Sequence, residues 1–105
     1  MTNELIKVID EIVELLSQCN WEDRAEWFKA KRNILLSLDP EEAAFRQELL
    51  EIQSIIAGMG SFTDLPLYPK KGVKLTSQEA RNRKWDLAER LDEAIKELLD
   101  QKSSG

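Results

Sequence analysis

The chain has no histidine, and that absence closes several chemical routes together. There is no imidazole to act as a general base, to activate a serine or cysteine, or to complete an ordinary zinc site. Its one cysteine, Cys19, cannot form an internal disulfide, which fits a reducing compartment. A small apolar residue at a helix end is the simplest role for it. No apolar run approaches the ~18–20 residues that a membrane-spanning helix needs. Met1-Thr2-Asn3-Glu4 also lacks the basic start and apolar core of a signal peptide. A cytoplasmic protein without membrane association is the expectation. Glycine and proline are scarce, four and three in 105 residues, and two of each fall between Gly58 and Pro69. Catalysis, if there is any, is left to carboxylates with magnesium or to lysine chemistry, and no cofactor signature is visible.

What the chain does have is a globular balance, 42% hydrophobic and 33% charged. One domain of this length buries about 60–70% of the surface its unfolded form exposes. The net charge of −5 is unevenly spread. Residues 1–52 hold twelve acids against six bases, whereas the remainder holds eight against nine. An acidic half repels phosphates and disfavours nucleic acid as a direct partner. It suits a basic protein, because charge complementarity speeds encounter and selects partners.

Helical periodicity dominates, and an all-α, four-helix bundle-like domain is expected over residues 1–105. The first helix runs over about 3–18, with Leu5, Ile9, Ile12 and Leu16 in one stripe and Ile6 and Val13 widening it. Asn20 reads as the N-cap of a second helix over about 21–37, which would bury Trp21, Ala25, Phe28, Ile34, Leu35 and Leu38. Asp39-Pro40-Glu41-Glu42 has the chemistry of a helix start, with a capping acid and Pro at the first position. The third helix is placed at about 40–57, with Phe45, Leu49, Ile52 and Ile56 inward and Gly58 as the left-handed residue past its end. Thr76-Ser77-Gln78-Glu79 is a capping box opening a fourth helix over about 77–100, burying Ala80, Leu87, Ala88, Leu91, Ile95 and Leu98. Two short connections make the first three helices antiparallel neighbours. The third connection, 58–75, is long for a bundle and reads as a structured crossover or a binding element.

Three constellations could carry chemistry. Glu48-x-x-Glu51 and Glu89-x-x-Asp92 resemble the paired acids with which MazG-type nucleotide pyrophosphohydrolases hold magnesium and a triphosphate. The bland reading is a solvated, salt-bridged surface. Trp21, Trp27 and Trp85 read as core-edge residues, with Trp27 the one to suspect as an interface anchor. Lys70, Lys71, Lys74, Arg81, Arg83 and Lys84 form a basic cluster without a nucleic-acid motif, suited to solubility or to pairing with the acidic half.

The run Gly58-Met59-Gly60-Ser61-Phe62-Thr63-Asp64-Leu65 resembles the G-M-G-S-[hydrophobic]-[Asn/Thr]-Asp-[Leu/Ile] signature of a family of small helical bacterial proteins. Members look like the immunity proteins encoded beside polymorphic or contact-dependent toxins. Trp21-x5-Trp27 is similar to that family's W…WL stretch, with Phe28 in place of Leu. The resemblance covers about residues 10–70 and implies a non-enzymatic cytoplasmic inhibitor of a cognate toxin; the acidic charge of the chain adds the expectation that this toxin is basic and of nuclease type. It supplies no binding residues. Charge asymmetry alone selects Glu11, Glu14, Glu22, Asp23 and Glu26 as the partner surface, with Asp64 on the long loop as a secondary candidate. A magnesium-dependent hydrolase and a homo-oligomeric helical regulator are the alternatives.

Overall fold

A computed structural model describes residues 2–56 and 62–103. Four α-helices form an all-α bundle: α1 (Thr2–Gln18), α2 (Glu22–Ser37), α3 (Ala43–Ser54) and α4 (Ser77–Ser103), with a 3-10 turn at Phe62–Asp64. Neighbours run in a closed ring, α1 beside α2, α2 beside α3, α3 beside α4 and α4 beside α1. Glu4 meets Arg90 while Glu11 meets both Arg90 and Arg83, so α1 and α4 run antiparallel.

The apolar stripes explain the packing. On α3, Phe45, Leu49 and Ile52 are buried, Ile56 is buried just past its end, and Ala80, Leu87, Ala88, Leu91, Ile95 and Leu98 are buried on α4. On α1, Val8 and Leu15 are buried beside Leu5, Ile9, Ile12 and Leu16. That arc is wider than one stripe because α1 packs against both α2 and α4. Helix α2 buries Ala25, Phe28 and Leu35, but Ile34 is 38% exposed and does not join the core.

Three helix ends differ from expectation, each for a local reason. Asn20 is not an N-cap: at φ 66° it is the left-handed residue that ends α1. Trp21 N–H bonds back to Leu16 O at 2.9 Å, closing a Schellman-type end, and Trp21 itself caps α2 without a side-chain bond. The Asp39–Glu42 segment is a turn before α3 rather than its first turn. Glu41 N–H donates to Asp39 Oδ1, Asp39 N–H to Glu42 Oε1 and Glu42 N–H to Asp39 O, while Glu42 stays extended at ψ 144°. Helix α3 stops at Ser54, where Ile55 N–H and Ile56 N–H turn to the i−3 carbonyls of Ile52 (3.2 Å) and Gln53 (3.3 Å) and tighten the last turn. The carbonyls of Ile55 and Ile56 in turn accept from Phe62 N–H (2.8 Å) and Thr63 N–H (3.3 Å). The expected Gly58 cap, with Ala57–Ser61, lies outside the described residues.

The capping box at α4 forms as expected, with Thr76 Oγ1 accepting from Glu79 N–H at 3.1 Å and Glu79 Oε1 from Thr76 N–H at 3.0 Å. The long connection does not join neighbouring ends directly. It lies across the α1–α2 junction, where Trp21 Nε1–H donates to Pro66 O (2.8 Å) and Lys70 N–H to Gln18 O (2.7 Å). Phe62, Leu65 and Leu67 are buried beneath it. Gly72, at φ 90°, takes the turn that closes with Val73 N–H on Lys70 O. No described helix is long and apolar enough to cross a membrane.

Candidate functional site

The six acids singled out in the sequence fall into two groups. Glu11 and Glu22 are already engaged. Glu11 lies half-buried against α4, 2.9 Å from Arg90 and 3.5 Å from Arg83, and Arg90 also reaches Glu4 at 3.3 Å. The Glu11 hydrogen bond, reinforced by Glu4, holds the Arg90 guanidinium above its ordinary pKa despite partial burial. Glu22 pairs with Lys70, whose bond lowers the carboxyl's pKa. The basic cluster therefore neutralises part of the acidic half within the molecule, through Lys70 and Arg83.

Glu14, Asp23 and Glu26 are exposed and make no ion pair among the described residues. Asp23 and Glu26 stand together near the start of α2. Glu14 lies on α1, where it borders a shallow depression with Lys74 and Arg83. Asp64 is exposed on the 3-10 turn, and its charge acts on Lys84. The structure thus spreads the chosen acids over several faces instead of gathering all six into one.

Asp23 and Arg24 also line a partly enclosed, mostly apolar cavity of about 290 Å³ together with Trp27, Phe28, Ile55, Phe62 and Leu65. Phe28 meets Phe62 edge-to-face at 5.8 Å and Trp27 at 5.2 Å between ring centroids. Trp27 is half-buried, with Lys31 Nζ 5.3 Å from its ring centroid, so its ring is largely used inside the molecule. The outward-facing tryptophan is Trp85, 55% exposed in a groove between α3 and α4. Periodicity placed Trp85 at an edge but gave no sign of the groove, because its other wall comes from α3.

The paired acids of the hydrolase reading do not converge. Glu48 and Glu51 both accept from Lys31 of α2, at 2.9 and 2.6 Å. Glu89 and Asp92 line the α3–α4 groove instead, with Asp92 2.8 Å from Lys96. No cluster of three or more acid or cysteine side chains able to hold a metal ion occurs among the described residues.

One lysine of the basic cluster is placed where its sequence position gives no sign of it. Lys84 is buried and donates to Leu65 O at 3.0 Å, and burial, with a smaller push from Arg81, lowers its pKa. It fastens the 3-10 turn to α4. Compared with known protein families, curated proteins and solved structures, the chain matches none of them.

Proposed function

We propose that this protein is a stoichiometric inhibitor that binds a basic protein toxin of nuclease type, in the manner of the immunity proteins its Gly58–Leu65 motif resembles. The observation carrying this reading is the acid excess that remains after internal pairing. Residues 1–52 are formally net −6; Lys70, Arg83 and Arg90 offset part of this through Glu4, Glu11 and Glu22, while Glu14, Asp23 and Glu26 are exposed and make no ion pair among the described residues. A nuclease needs a basic cleft for its phosphate substrate, and an acidic protein can cover that cleft. Asp23 and Glu26 supply the charge at the start of α2, and the apolar cavity beside Asp23 offers room for a side chain.

The test is co-expression. The reading frame beside this gene is expressed alone and together with this protein, and growth is followed. Arrest that is relieved only by co-expression supports inhibition; identical growth in both cases overturns it. With a purified pair, Asp23→Lys/Glu26→Lys is expected to slow association and to flatten its salt dependence.

A further inference from the structure

We infer that the groove between α3 and α4 is a docking site for a basic amphipathic helix of another protein, with Trp85 as the anchor. This rests on the reading of the chain as a binder of a basic partner, and it adds a surface that the charge pattern of α1 and α2 does not contain. Trp85, Ala88, Glu89 and Asp92 are spaced i, i+3, i+4 and i+7 and so form one face of α4, with Gln53 at the C-terminal end of α3, Ile56 just past it and Thr63 of the 3-10 turn opposite. Among the described residues the groove is a shallow depression of about 620 Å³. That is room for the anchor side chains of a helix laid along α4.

Two features select the occupant. A large aromatic side chain left 55% exposed in a groove is the residue type that most often dominates binding energy. Lys84 Nζ, tied to Leu65 O, sits 5.5 Å from its ring centroid and favours one placement of the indole. Every ionisable side chain lining the groove is a carboxylate: Asp86, Glu89 and Asp92. Asp86 and Asp92 make i,i+4 pairs in which one member is exposed and the other half-buried, Asp86 with Arg90 (3.8 Å) and Asp92 with Lys96 (2.8 Å). Pairs of that kind are weak, and incoming lysines or arginines displace them readily. Glu89 makes no ion pair among the described residues. A second copy of this chain, itself net −5, meets repulsion here, whereas a cationic helix meets attraction.

The test is an NMR titration of the full-length protein with a synthetic Lys/Leu amphipathic helical peptide and, separately, its Glu/Leu counterpart. Saturable shifts are expected at Gln53, the Trp85 indole, Glu89 and Asp92 with the cationic peptide alone. Trp85→Ala and Glu89→Lys, both at exposed positions, are expected to weaken binding at least tenfold. Shifts centred on Asp23 and Glu26, equal binding of the anionic peptide, or a self-associated protein that Trp85→Ala dissociates would each overturn the assignment. Failure of co-expression to rescue growth removes the toxin reading but leaves this titration to judge the groove. Rescue that persists in the Trp85→Ala variant removes the groove as the toxin's site and leaves the inhibitor reading standing.

Discussion

Phe28 sits where the wall of the bundle meets the segment laid over its end, 2% exposed and edge-on to both Trp27 and Phe62. Truncation there removes a large buried ring and breaks two aromatic contacts together. Phe28→Ala is expected to cost about 3–5 kcal/mol, enough to threaten a domain whose whole stability is of the order of 5–15 kcal/mol. Urea denaturation followed by circular dichroism reads the loss directly. Trp21 gives a smaller and more local contrast. Trp21→Phe keeps most of the ring but deletes the donor to Pro66 O, at a cost of about 0.5–1.5 kcal/mol. Because that bond ties the long connection to the α1–α2 junction, amide exchange should rise around Leu65–Lys70 more than on α3. Uniform protection across both regions would show that the tether is immaterial.

At the scale of the element, the start of α4 is defined by reciprocal bonds between Thr76 and Glu79. Thr76→Ala is expected to cost about 1 kcal/mol through the lost cap. The Thr76 backbone bond, helped by the hydroxyl, holds the Glu79 carboxyl below its ordinary pKa. A carboxyl depressed in the folded state contributes stability that is complete above its unfolded value of about 4.3 and is lost as pH falls through the lower folded value. Glu22 and Glu51, lowered by Lys70 and Lys31 respectively, act in the same direction. Thermal midpoints measured downward from pH 5 should therefore fall, and Glu79→Gln should fall less steeply than the parent. Equal slopes would mean that the capping carboxylate does not contribute to acid sensitivity.

For the whole molecule, α4 is the longest support, with Ala94, Ile95 and Leu98 buried in its second half. Removing residues 101–105 is expected to leave the thermal midpoint unchanged. Removing everything from Ala94 onward deletes two large apolar side chains worth about 1.5–3 kcal/mol each and should leave the chain largely unfolded at room temperature. The stripes of α3 and α4 and the Thr76–Glu79 box are legible in the sequence because each is a local pattern on one helix. Val8 and Leu15 are not, since their burial depends on α1 having two neighbours. Asn20 and Asp39–Glu42 misled for a related reason: the same short polar side chains serve a helix start, a helix end or a turn, and only the next few dihedral angles decide which. Lys84 and Trp85 were misjudged because one lies under Pro66's neighbour Leu65 and the other faces α3, contacts that no periodicity along α4 records.

The tie between Lys84 and the Leu65 carbonyl has a practical consequence for following the molecule in solution. An acylating reagent meets the exposed Lys7 and Lys29 freely, whereas the Lys84 amine, on a buried residue and bonded to Leu65 O, is expected to react chiefly when Leu65 lifts away from α4. The ratio of acylation at Lys84 to that at Lys29 is therefore a built-in clock for how often the covered end of the bundle opens. A partner that seals the neighbouring groove against Trp85 should slow that clock without touching the other lysines.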